Sequence, residues 1–203
     1  MSDLSWSSRS YAVVDVEGNG QRPPDLVELA IVHVADGDIG EPVSWLVKPD
    51  TPILWPARRV HGISNDDVAD AAPFATIQAD VLAHLGNAVI VGHNVGIDLD
   101  VLRRKLPDWR PSAVIDTLRL ARRLLPDLGT HRLGALVEHL NLAAGLPAGT
   151  RPHRADYDVL VTARLLNALA TQDPGGAGTW AALCELGGPP IVRSPDEVGD
   201  RLF

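Results

Sequence analysis

The sequence predicts a mixed α/β fold, an antiparallel meander of three strands followed by parallel strands in the same sheet, with helices flanking it. Three observations predict this. Three apolar segments joined by short polar turns open the chain, as in a meander. Short apolar runs then alternate with helical patterns, which is how parallel strands are added to a sheet. Finally, 203 residues at 45% hydrophobic and 22% charged suit one ordinary domain with a proper core.

Ser10 to Glu17 is the first expected strand, Leu26 to Val34 the second and Pro42 to Val47 the third, with "ADGDIG" as a turn. Ser64 in "SNDDVAD" reads as a helix N-cap, and Pro73 opens a helix to about Leu85. A short strand over Ala88 to Val91 precedes a helix near Gly96 to Lys105. Another strand, Ala113 to Asp116, leads into "TLRLARRLL", and helices follow near Arg132–Leu140 and Ala155–Ala170. "DPGGAG" reads as a linker, dividing the chain into a tail (1–9), a main domain (10–172) and a C-terminal segment (173–203) holding "TWAALCEL" and a Pro-rich end.

No apolar run reaches the ~20 residues of a membrane span, and the start lacks the apolar stretch of a signal peptide. Cys184 is the single cysteine, which excludes an intramolecular disulfide and points to a cytoplasmic location with no membrane partner. The formal net charge of −8 argues against a general nucleic-acid coat protein. Its distribution is uneven: ten basic residues face four acidic ones between Val101 and Arg154, enough to guide a polyanion or simply to solvate helix faces.

The chemistry rests on carboxylates. Asp15 and Glu17 stand two apart at the end of an apolar strand, so they project from one face. Left unpaired in a buried place they would cost several kcal/mol, so a cation belongs between them. No basic residue lies beside them in the sequence; the alternative is exposure at the strand's end. In "VIVGHNVGIDLDVL", Asp98 shares the apolar stripe with Val101 and Leu102, whereas Asp100 lies off it. Asn94 reads as the N-cap of that helix or as a ligand contact. In "RPHRADYDVLVTARLL", Asp158 falls on the core stripe, and His153 precedes the helix. Four inward carboxylates suit hard cations such as Mg²⁺ or Mn²⁺. The lack of a Cys cluster or HExxH speaks against zinc, and no P-loop or GxSxG elbow is present.

Together these segments resemble the DEDD-type 3′–5′ exonucleases of the catalytic-histidine branch. Asp15-Val16-Glu17 matches the first motif, His93-Asn94-Val95-Gly96-Ile97-Asp98 the second, and His153-Arg154-Ala155-Asp156-Tyr157-Asp158 the third. The resemblance covers roughly residues 10 to 170. It implies a ribonuclease-H-like fold and two Mg²⁺ or Mn²⁺ ions held by Asp15, Glu17, Asp98 and Asp158, with His153 as general base. It also implies release of nucleoside 5′-monophosphates from the 3′ ends of single-stranded nucleic acid, DNA ahead of RNA, and a polymerase or repair protein as a further partner. An enzyme for very short RNAs and a non-catalytic interaction module are the alternatives.

Two departures bear on substrate. Gly18-Asn19-Gly20 stands where the family has Thr-Thr-Gly, so the family's contact with the terminal nucleotide is either lost or supplied by Asn19 or by the backbone of Gly18 and Gly20. Ile97 replaces an aromatic residue before Asp98. His61 in "VHGIS" resembles a loop that lies near the terminal nucleotide, or serves the loop itself. Glu28 is a candidate acid behind the site or a structural hydrogen-bond partner. Trp45, Trp55, Trp109 and Trp180 are expected to pack, although any could stack on a base.

Overall fold

A computed structural model describes residues 4–171 and 177–188. Strands β1 (Tyr11–Gly18), β2 (Leu26–Ala35), β3 (Asp38–Ile39) and β4 (Val43–Leu46) come first. They are followed by α1 (Trp55–His61), α2 (Phe74–Leu85), β5 (Val89–Gly92) and α3 (Gly96–Lys105). Then come β6 (Val114–Asp116), α4 (Thr117–Leu124), α5 (Leu133–His139), α6 (Ala155–Thr171) and α7 (Trp180–Gly187). The sheet runs β3-β2-β1-β5-β6, with β4 also paired to β2. β2 is antiparallel to β1, β3 and β4, while β5 and β6 run parallel to β1.

Strand alternation sorts the apolar residues into two cores. Tyr11 and Val13 face a cluster built with α4, α5, α6 and α7, including Leu120, Leu136, Leu165 and Leu183. Ala12 and Val14 face the opposite cluster with Val81 and Leu85 of α2 and Leu99 and Leu102 of α3. The carboxyl ends of the parallel strands β1, β5 and β6 therefore open at one edge between two helical layers, the usual position for a ligand in such sheets. Gly92 permits that edge to close: a Cβ there would lie 2.7 Å from Val95 and 3.2 Å from the Val14 carbonyl oxygen.

Several expectations need correction. The "ADGDIG" turn contains β3, because Asp36 and Gly37, at φ 54° and 87°, form the tight kind of hairpin that two left-handed residues favour. Ser64 caps no helix. It exchanges hydrogen bonds with Asp67 at 2.7 to 3.2 Å, and turns follow because Val68 alone of that run reaches the core. α1 went unforeseen; it has Pro56 in its first turn and ends at Gly62, whose φ of 78° closes it onto the Arg58 carbonyl.

Trp109 packs in the core and Trp45 donates to Asp80, but Trp55 departs from the expectation of packing and is 67% exposed. Trp6, in the segment read as a tail, is buried against Tyr11. α7 rests on α4 and β6, with partly buried Cys184 facing the core. Residues 1–3 of the tail reading, the linker residues 173–176 and the Pro-rich end over 189–203 lie outside the described residues.

Candidate active site

Asp15 and Glu17 continue the face of β1 that begins with Tyr11 and Val13, so they point towards the layer that holds α6. Asp158, in the first turn of α6, meets them there: oxygens of Asp15, Glu17 and Asp158 all lie within 4.8 Å of one another. Asp98 reaches the same edge from the opposite layer. Its Oδ1 accepts the Val16 N–H at 2.9 Å, between the two β1 acids. Asp98 thus adjoins the trio without belonging to that tight cluster.

Among the described residues, no hydrogen-bond donor or ion pair serves the carboxylates of Asp15 and Glu17. Burial, with the neighbouring Asp98, Asp158, Glu17 and Glu28, pushes the Asp15 carboxyl well above the usual range. Burial and then Asp158, Glu28 and Asp98 push Glu17 up to about 8, although Arg154 opposes the shift. Asp98 is raised to about 8, chiefly by burial, and Asp158 to about 7 for the same reason. Four carboxyls that resist ionisation together form a site short of positive charge. Their all-oxygen donor set fits hard divalent cations, and no cysteine or histidine belongs to the cluster.

α6 is held in place by a partner that sequence spacing does not reveal. Glu28 of β2, 2% exposed and directly opposite Glu17 in the strand register, accepts from Arg154 Nε at 3.0 Å and from its Nη2. The same Glu28 accepts the Ala155 N–H at 3.0 Å and so caps α6. His153 precedes this clamp with φ of 62°, and its N–H donates to Asp158 Oδ2 at 3.1 Å. Its exposed side chain lines a cleft of about 790 Å³ shared with His93, Asn94, Ile97, Arg122 and Arg132.

The remaining expected residues fall into two groups. Asn19 is fully buried and spends its side chain internally: Nδ2 donates to Thr51, and Oδ1 accepts from Gln21 and Asp25. It therefore shapes the loop between β1 and β2. Gly20, at φ 82°, lets α1 approach, since a Cβ there would lie 3.0 Å from Ala57. His61 is 2% exposed; Nδ1 accepts the Ile63 N–H, so the neutral ring carries its proton on Nε2. That buried Nε2 makes no well-formed hydrogen bond among the described residues, and burial holds the imidazole below its usual range although the Gly18 backbone beside it opposes the shift.

Asn94 is not the cap of α3, whose N-cap is Val95. Asn94 is exposed at φ 63°, and its N–H donates to Asp116 Oδ1. His93 ties β5 to the start of α4 through Thr117 Oγ1 and to the segment before α5 through the His131 carbonyl.

The exonuclease family model (RNase T) matches residues 12–166, a span that contains all four acids and His153. The chain belongs to this family of nucleases, hydrolases of phosphodiester bonds. It is 39% identical to exodeoxyribonuclease 10 of Escherichia coli K12 over 76% of its own length and 66% of that protein. It is 33% identical to the PolC-type DNA polymerase III of Oceanobacillus iheyensis, over 81% of this chain and 12% of the polymerase.

Among solved structures, exonuclease X in complex with 5′-overhanging duplex DNA matches with TM-score 0.68 and 34% identity, covering 85% of this chain and 99% of that one. E. coli exonuclease I in complex with a dT13 oligonucleotide matches at TM-score 0.67 and 21% identity, over 82% of this chain and 42% of that one, which supports the ribonuclease-H-like fold alone. Among the described residues, no helix is long and apolar enough to cross a membrane.

Proposed function

We propose that the protein is a 3′–5′ exonuclease that removes nucleoside 5′-monophosphates from the 3′ ends of single-stranded nucleic acid, DNA in preference to RNA. Asp15, Glu17, Asp98 and Asp158 would hold two divalent cations, Mg²⁺ or Mn²⁺. The observation that carries this is the trio of carboxylates within 4.8 Å, Asp158 buried and Asp15 and Glu17 half-buried, lacking any ion pair among the described residues. Bound there, the cations would supply Lewis-acid stabilisation of the charge that develops on the phosphate.

The chain's own residues divide the other tasks. His153, which lines the cleft, accepts the proton of the attacking water. The Glu28–Arg154 clamp fixes the turn that presents His153 and Asp158. His61 Nε2–H donates to the terminal nucleotide, and the backbone of Gly18 and Gly20 allows that nucleotide close approach, in a loop braced by Asn19. Asn94 faces the same cleft and contacts the strand behind it.

DNA is favoured because the 39% and 34% identical relatives are an exodeoxyribonuclease and an exonuclease bound to DNA. The likeness to part of a polymerase supports a polymerase or repair protein as partner. The test is chromatography of products released from matched DNA and RNA 12-mers and from dinucleotides. Nucleoside 5′-monophosphates, fastest from the DNA 12-mer, are the expected result. Products ending in 3′-phosphate would overturn the reaction, and turnover confined to RNA dinucleotides would transfer the assignment to short RNAs.

A further inference from the structure

Trp55 is the most exposed large hydrophobic side chain of the described residues, at 67%. Leaving an indole in water forfeits the apolar burial that normally keeps Trp inside. Nothing in the fold requires the sacrifice. The indole makes no hydrogen bond among the described residues, and the core beside α1 is built by Val27, Ile53, Ile63 and Val68 without it. By contrast, Trp6 and Trp109 are buried, Trp45 donates to Asp80, and Trp180 is partly buried in the main core.

The surroundings of Trp55 are specific. The Arg59 guanidinium carbon lies 5.5 Å from the ring centre, a cation–π pair one helical turn apart. Arg58 adds a second positive charge, and "WPARRVH" holds no acid. Leu54, also exposed, precedes the ring.

The position of α1 ties this surface to the acids. The Leu54 N–H donates to the Asn19 carbonyl at 2.8 Å, and Ala57 packs on Gly20. α1 therefore lies along the loop that follows Asp15 and Glu17. At its C-terminal end the His61 carbonyl accepts from Arg151 Nη2 at 3.2 Å, three residues before Arg154. Six residues at ~1.5 Å each place Trp55 about 9 Å along the helix from His61. That separation sets the ring apart from the nucleotide at His61 and leaves it within reach of another nucleotide of the same substrate. A flat, rigid π-face with a cation against it, on a helix whose only charges are positive, is complementary to a nucleobase on a phosphate backbone.

We propose that Trp55, backed by Arg59, is a stacking platform for an unpaired nucleobase of the substrate outside the cleaved terminal nucleotide. The proposal rests on the nuclease reading above and adds a site to it. Stacking is blind to base identity, so the platform confers affinity for strand length without sequence preference.

The test compares two main substrates with the full chain, a single-stranded DNA 12-mer and the p-nitrophenyl ester of thymidine 5′-monophosphate, which has no second base, with an abasic 12-mer as a third. Trp55→Ala is expected to lower kcat/KM on the 12-mer about 5- to 150-fold, the range for losing one base–aromatic stack, and to leave the ester unchanged. Trp55→Phe should retain most of the 12-mer activity. A 12-mer made abasic behind its terminal nucleotide should be cleaved equally by the wild type and Trp55→Ala.

The platform is overturned if Trp55→Ala matches the wild type on the intact 12-mer, if both substrates fall together, or if the abasic strand is equally affected. A wild type that hydrolyses neither substrate would instead overturn the nuclease reading, and the platform with it.

Discussion

Glu28 and Arg154, 126 residues apart, form a two-pronged ion pair whose acid also caps α6 through the Ala155 N–H. The pair joins β2, next to Glu17, to the turn that carries His153 and Asp158. Its position explains why a chain would bury another acid beside an already crowded set of carboxylates. Arg154 answers Glu28 and leaves the trio of Asp15, Glu17 and Asp158 for a cation.

Arg154→Ala leaves Glu28 buried without its partner and should destabilise the protein by about 3 kcal/mol, at the low end for a broken buried pair because Arg154 is a third exposed. Denaturant unfolding measures it. The double variant Glu28→Met, Arg154→Met should regain much of that stability and still lose hydrolysis, because α6 then lacks its cap and its anchor.

Asp15→Asn should separate stability from activity. The Asp15 carboxyl makes no protein hydrogen bond among the described residues and is crowded by Asp98, Asp158 and Glu17. Neutralising it should stabilise the metal-free protein by about 1–2 kcal/mol, from relief of like-charge burial. The same change should reduce hydrolysis at least about a thousandfold, as expected for loss of an interaction made in the transition state. Thermal unfolding in chelator and steady-state kinetics give the two readings.

The raised carboxyls also predict a pH dependence with a definite sign. Glu17 and Asp98 near 8 and Asp158 near 7 hold protons in the folded, metal-free protein that the unfolded chain releases near 4. Their contribution is fully present below about 4 and is lost as pH rises through 7 to 8. With chelator, the unfolding temperature should therefore fall between pH 5 and 8 on account of these groups. Saturating Mg²⁺ or Mn²⁺ should flatten the fall, because binding displaces the protons.

His153→Asn keeps a residue type that tolerates the left-handed conformation at φ 62° and still supplies the N–H to Asp158. It should preserve stability while lowering kcat about 10²- to 10⁴-fold, with KM for an oligonucleotide little changed. A large KM change with kcat retained would assign His153 to binding.

Much of the fold was legible because β1, α3 and α6 carry their patterns locally. The alternation of Tyr11, Val13, Asp15 and Glu17 put both acids on one face, and the apolar stripes of α3 and α6 marked Asp98 and Asp158 as the inward acids. What escaped depends on tertiary partners. α1 has no sustained apolar stripe in "WPARRVH"; it forms because Leu54 and Ala57 dock on Asn19 and Gly20. Asn19 reads as a ligand contact until the loop folds back and uses all its hydrogen-bonding capacity. The Glu28–Arg154 clamp spans most of the chain, and no local spacing announces it. Trp55 carries no sequence mark of its exposure.

The most direct test of the central claim is a denaturing gel of a 5′-labelled single-stranded DNA incubated with wild type or Asp15→Asn, in Mg²⁺, in Mn²⁺ and in chelator. The account predicts a ladder that shortens from the 3′ end with either metal, and intact strand in chelator and with Asp15→Asn. Equal cleavage by Asp15→Asn, or cleavage undiminished in chelator, would contradict the assignment of the β1 carboxylates as the metal-binding centre of hydrolysis.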